Sequence, residues 1–61
     1  MKQYAIFSDG KYLGTFESVN PAYALAKFDG KRLKMSCVAT FEVGKTTLSY
    51  DDGKEYVIYY K

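Results

Sequence analysis

The chain has 61 residues and a formal net charge of +2, which leaves room for one domain spanning residues 1–61. It has one cysteine and no histidine, so it lacks the residues for an internal disulfide framework or for the usual zinc sites. Seven Tyr and four Phe supply the large apolar area that so short a chain needs for a core. We expect a small aromatic-rich domain without a cofactor.

The first predicted element is a β-hairpin whose loop is Asp9-Gly10, because Asp-Gly between apolar segments is typical of two-residue hairpin loops. This loop predicts which residues share a face, since directly opposed residues point the same way. One face then holds Tyr4, Ile6, Leu13 and Thr15, and the other holds Ala5, Phe7, Tyr12, Gly14 and Phe16. Because both faces are apolar, either both are covered or one of them meets a partner.

A short helix is predicted next. Asn20 is a favourable N-cap residue and Pro21 suits the first helical position, where its missing N–H costs nothing. The following segment, 22–28, is rich in Ala and Leu. A helix of this length is marginal alone, so we expect it to pack on one face of a sheet.

Three further strands are predicted after the helix. Apolar residues alternate with mostly polar ones from Leu33 to Val43, which predicts one long strand. Turns at Gly44-Lys45 and Asp52-Gly53 then give two more strands and place Phe41, Leu48 and Val57 on one core face. The predicted fold class is α+β, with an antiparallel sheet of about five strands in β-β-α-β-β-β order and one helix.

Residues that could support catalysis are scarce, and we expect no enzymatic activity. Without histidine the usual general base is absent. Cys37 falls on the apolar side of a predicted strand, which favours an unreactive core thiol. The adjacent carboxylates of Asp51 and Asp52 fall in a hairpin turn, where solvated acidic residues are common.

The polar and aromatic face predicted for the last strands is the first candidate for a binding surface. It presents Thr47, Tyr56, Ile58 and Tyr60, and Tyr is frequent at interfaces because it combines a large area with a polar tip. The alternative interpretation is that these residues simply favour strands on a solvated face. The C-terminal strand is also apolar for an edge, which favours a homodimer or a partner strand paired there.

Nucleic-acid binding is the alternative hypothesis for the same sheet. Its aromatic residues would stack on bases, and the phosphate contacts would come from Lys31, Arg32, Lys34 and Lys45. The concentration of basic residues between 31 and 34 equally fits a solvated loop flank.

The segment Phe41 to Lys54 (Phe-Glu-Val-Gly-Lys-Thr-Thr-Leu-Ser-Tyr-Asp-Asp-Gly-Lys) locally resembles the middle hairpins of the small archaeal chromatin proteins. In that family a three-stranded sheet lies on the DNA minor groove, so the resemblance implies DNA binding. The chain departs from the family pattern: Phe41 stands near the position of the family's Trp, lysine is scarcer and the C-terminal helix is missing. The resemblance covers under a quarter of the chain.

The leading hypothesis is a small non-enzymatic protein-binding module. We expect a regulator or inhibitor that binds a larger protein stoichiometrically, of the type encoded by phages and mobile elements. A structural role in a homo-oligomer is a third hypothesis. The sequence shows no export signal and no apolar segment of about 18 residues, so we expect a cytoplasmic protein with no membrane association.

Overall fold

A computed structural model describes residues 1–60. The strands are β1 (Lys2–Ser8), β2 (Lys11–Ser18), β3 (Cys37–Glu42), β4 (Lys45–Tyr50) and β5 (Glu55–Tyr60). The α-helix α1 (Pro21–Phe28) and a 3-10 helix (Gly30–Lys34) connect β2 to β3. All strand pairs are antiparallel and the sheet order is β2-β1-β5-β4-β3, which confirms the predicted α+β class and element order.

The helix begins as predicted. The side chain of Asn20 accepts a hydrogen bond from the backbone N–H of Tyr23 at 2.8 Å, and Pro21 occupies the first turn. Ala24 and Leu25 on its inner side are fully buried against the sheet. The helix therefore covers one face of the sheet, which we call the helix face.

The core lies entirely on the helix face. Its buried apolar residues are Tyr4, Ile6, Ala24, Leu25, Leu48, Tyr50, Tyr56 and Ile58. The register explains this set, since Ile6 pairs with Ile58 and Leu48 pairs with Tyr56, and paired residues share a face. Every strand residue between these positions points to the opposite side, which we call the open face.

The predicted registers of three hairpins are wrong: β1–β2, β3–β4 and β4–β5. In the first hairpin a β-bulge between Ile6 and Phe7 pairs Ile6 with Gly14 in place of Leu13, and this turns Phe16 onto the helix face. The β3–β4 loop is Val43-Gly44, because Glu42 pairs with Lys45. That difference of two residues leaves the predicted faces of β3 and β4 unchanged.

The β4–β5 turn has the larger consequence. Leu48 pairs with Tyr56 and not with Val57, because the loop contains three residues, 51–53. A slip of one residue exchanges the two faces of a strand. Tyr56 and Ile58 therefore enter the core, while Val57 and Tyr59 lie on the open face.

The predicted long strand from Leu33 is also wrong at its beginning. Leu33 belongs to the 3-10 helix, whose backbone is held by hydrogen bonds from the Arg32 N–H to the Asp29 carbonyl and from the Met35 N–H to the Arg32 carbonyl. β3 begins only at Cys37, and all six of its residues are exposed. Neither helical segment of residues 1–60 has the length and hydrophobicity to span a bilayer.

Candidate binding surface on the open face

An uncharged row of side chains crosses the open face over all five strands. Phe7 in β1 pairs with Tyr12 and Val57, and Thr47 pairs with Val57 and Thr40. We call these residues the open-face row; in sheet order they are Tyr12, Phe7, Val57, Thr47 and Thr40. The row runs perpendicular to the strands, so one flat partner surface could contact all of it.

Aromatic rings dominate one half of the row. The Phe7 ring contacts Tyr12 at 5.3 Å between centroids and Tyr59 at 5.5 Å, the latter edge-on. Tyr12 and Tyr59 remain 55% and 46% exposed. The Tyr12 hydroxyl also lies 2.7 Å from the Thr15 hydroxyl oxygen. Rings already held by neighbours lose little conformational freedom on binding, which favours contact residues of this type.

A shallow depression lies beside Tyr59. It is lined by residues of the open face and of the first strand's beginning, among them Gln3, Ala5 and Thr15. Ala5 lies between Thr15 and Tyr59 across the strands, and the small side chains of Ala5 and Thr15 form the floor of this depression beside Tyr59. It offers a place for one protruding side chain of a partner.

The charges on the open face are mostly acidic. Among the paired strand residues of this face, register places Glu17, Glu42 and Glu55 with one lysine, Lys45. Lys45 is partly neutralised, because its Nζ lies 3.5 Å from a carboxylate oxygen of Glu42. Phosphate contacts rely on uncompensated positive charge, which is scarce among the paired strand residues of this face.

The predicted partner-binding residues divide between the two faces. Thr47 lies on the open face as predicted, half-buried in the open-face row. The prediction that Tyr56 and Ile58 face solvent is wrong, because both are core residues. Tyr60 also lies on the helix face, half-buried with its ring 5.6 Å from that of Tyr4 and with the Lys2 ammonium over it.

The predicted phosphate contacts do not come together as one site. Lys31 and Lys34 are exposed on the 3-10 helix, and Lys45 is paired to Glu42 across a hairpin. The prediction that Arg32 contacts phosphate is wrong, because its side chain is only 3% exposed. Its guanidinium lies 2.8 Å from Asp52 and 3.3 Å from Asp29, and its central carbon lies over the neighbouring rings of Tyr50 and Tyr56.

Two further predictions about reactive or pairing groups are wrong. Cys37 is exposed and not a core thiol, because no helix covers β3. The C-terminal strand is not an edge: β5 lies at the centre of the sheet, hydrogen-bonded to β1 and β4. A homodimer through the edge of β5 is therefore impossible in this fold.

Sequence reasoning missed most of the open-face row. The available signal was the apolar character of both faces of the first hairpin, which indicated that either both faces are covered or one of them meets a partner. No protein-family model, curated protein or solved structure matches the chain significantly.

Proposed function

We propose that the chain is a small non-enzymatic protein-binding module that contacts its partner through the open face. The observation that carries this proposal is the open-face row, which includes the exposed ring of Tyr12 and has the exposed ring of Tyr59 packed beside it. Binding to a larger protein would be stoichiometric, and the proposed outcome of such binding is regulation or inhibition of that protein.

The charge of the open face supports a protein partner over nucleic acid. Base stacking on the aromatic rings is sterically feasible, but the paired strand residues around them contribute three carboxylates and one lysine that is itself paired. A protein surface with an apolar centre and a few basic residues at its rim complements this face.

Affinity capture from the source cells, in which the unmodified chain is compared with three variants, tests the proposal. Tyr12→Ser and Tyr59→Ser each remove one exposed ring of the open face. Tyr23→Ser is the matched control, since Tyr23 is 50% exposed on α1, on the other side of the sheet. Circular dichroism and urea unfolding establish that all three variants are folded.

We expect one protein to be recovered at a fixed ratio by the unmodified chain and by Tyr23→Ser. Each open-face variant should weaken its binding by about tenfold or more, the usual effect of removing an interface tyrosine that contributes over ~1.4 kcal/mol. Equal recovery by Tyr59→Ser and Tyr23→Ser contradicts the proposal. Recovery of nucleic acid that is lost at raised salt favours the alternative hypothesis.

A further inference from the structure

The strand β3 is an edge without the features that normally prevent edges from pairing. All six residues are exposed, with Val38 at 70% and Phe41 at 72%. Natural edge strands are usually protected by charges, proline, bulges or a covering helix. β3 has one charged residue, Glu42, and its ladder with β4 is regular.

The opposite edge of the sheet has three of these protective features. β2 carries a bulge, two charged residues at Lys11 and Glu17, and contacts from α1 over its helix face. Leu13 and Phe16 of β2 are partly buried against the core. The contrast between the two edges points to β3 as the strand that accepts another strand.

The free backbone groups of β3 can be identified from its ladder. In an antiparallel pair, residues that bond to the neighbouring strand alternate with residues whose N–H and C=O point away. The Asp51 N–H donates to the Ser36 carbonyl at 3.3 Å, which puts the bonded positions at even residue numbers in β3. Cys37, Ala39 and Phe41 therefore direct their N–H and C=O groups to the open edge.

We propose that this edge pairs with β3 of a second copy, antiparallel, with Ala39 opposite Ala39 of the other copy. This is the two-fold register that uses all three free residues, because Cys37 then opposes Phe41 of the other copy. Each of these N–H groups then donates to a carbonyl of the other copy, and each carbonyl accepts from an N–H of the other copy. Shifting the register by two residues would leave Cys37 or Phe41 without a partner inside the strand.

The side chains fit the same register. On the helix face Phe41 covers Cys37 of the other copy, and the small Ala39 at the axis leaves room for both rings. On the open face Val38 lies beside Thr40 of the other copy. The strand runs from the basic 3-10 helix, with Lys31 and Lys34, to the acidic Glu42. Antiparallel pairing places the basic end of each strand beside the acidic end of the other, whereas parallel pairing would place Glu42 beside Glu42 of the other copy.

The dimer extends the sheet to ten strands, five from each copy. A two-fold axis perpendicular to the sheet keeps both helices on one side and both open faces on the other. The proposed partner surface is thereby doubled and continuous. The interface is one strand wide and therefore small, so we expect the dimer to be weak and to form only as the protein concentration is raised.

Disulfide trapping tests the register directly. In a Cys37→Ser background, Ala39→Cys puts two thiols opposite each other at the axis. Opposed residues in such a pair have Cα atoms about 5.5 Å apart, inside the ~4.4–6.8 Å range of disulfides. Thr40→Cys in the same background is the matched control, because Thr40 faces the other side of the sheet and does not oppose itself.

We expect mild oxidation to convert most of the Ala39→Cys chain to a covalent dimer while Thr40→Cys and the native Cys37 chain remain largely monomeric. Efficient cross-linking through Cys37 or Thr40 in place of Ala39 overturns the register. Equal, slow cross-linking at all three positions indicates random collision and overturns the proposal.

Mass measurement by light scattering tests the dimer without cysteines. The Cys37→Ser chain should pass from 7.0 kDa toward twice that mass as concentration rises into the high micromolar range. Ala39→Glu places like charges at the axis and should remain a monomer, whereas Ala22→Glu on exposed α1 should dimerise normally. A monomeric mass for all variants at all concentrations overturns the proposal. These measurements involve no partner protein, so they are independent of the outcome of affinity capture.

Discussion

Arg32 and Asp52, twenty residues apart in the chain, are joined by a 2.8 Å hydrogen bond that ties the 3-10 helix to the β4–β5 turn. The guanidinium carbon also lies 5.0 Å from the centre of the Tyr50 ring and 5.2 Å from that of Tyr56. Arg32, the one buried cation among residues 1–60, thus packs against the end of the core formed by β4, β5 and their turn.

Replacing Arg32 should destabilise the fold. Arg32→Ala loses two ring contacts and two ion pairs, and we expect about 2–4 kcal/mol less unfolding free energy, measured in urea. Arg32→Lys keeps the charge but not the planar group that stacks on the rings, so it should recover only part of this loss. Full recovery by lysine would show that charge alone stabilises this site.

The stability of the fold should depend on the ionisation of Asp52. The Lys54 backbone N–H, and then the hydrogen bond and charge of Arg32, lower the pKa of this carboxyl below its ordinary value. A lowered pKa in the folded state stabilises the fold above the unfolded-state pKa of about 4, and the contribution disappears as pH falls through the lower folded value.

Urea unfolding across this acidic range measures the Asp52 effect. The native chain should exceed Asp52→Asn in stability near neutral pH, and the difference should shrink as the pH is lowered below about 4. Asp51→Asn is the control, since the Asp51 carboxylate makes no ion pair or hydrogen bond among residues 1–60. A difference between the native chain and Asp52→Asn that is independent of pH contradicts this account.

Tyr50 should produce a loss of stability in alkali. Burial, followed by its interactions with Cys37, raises the pKa of Tyr50 to about 12. Because the folded value exceeds the unfolded value of about 10, the contribution of Tyr50 is complete below pH ~10 and is lost as pH rises toward 12. Tyr50→Phe should therefore lose less stability than the native chain over this interval. Identical alkaline profiles would contradict the assignment.

Thr46 is a position where substitution should stabilise the protein. Its side chain is 1% exposed, and its hydroxyl oxygen has no hydrogen-bond partner among residues 1–60. Thr46→Val keeps the shape and strand preference while removing the unsatisfied polar group, so we expect a gain of about 1 kcal/mol in urea unfolding. Thr47→Val is the control on the open face, where a smaller change is expected. A loss of stability in Thr46→Val would mean that the hydroxyl is satisfied.

The element order could be predicted from the sequence because its signals are local: Asp-Gly turns, the Asn20-Pro21 helix start and alternation along β3. Which face of β5 is buried could not be predicted. Both Tyr56 with Ile58 and Val57 with Tyr59 are apolar, so the pattern does not distinguish them, and one extra residue in the 51–53 loop decides which pair is buried. Val57 was not assigned to the open-face row for this reason.

The burial of Arg32 also could not be predicted from the local sequence pattern. Its partners Asp29, Tyr50, Asp52 and Tyr56 converge only once the 3-10 helix lies over the β4–β5 turn. A basic cluster between 31 and 34 has the same appearance in sequence whether its arginine is exposed or buried. The exposure of Cys37 could not be predicted for a similar reason, since alternation along β3 indicates an apolar face but not whether another element covers that face.

The central claim, that the open face contacts a protein, is tested most directly by site-specific photocross-linking in the source cells. A photoreactive residue placed at Thr47 lies in the open-face row, and the same residue at Tyr23 lies on the exposed side of α1. We predict one protein adduct of defined mass from position 47 and none from position 23. Adducts to nucleic acid from position 47, or the same protein adducts from both positions, would contradict the claim.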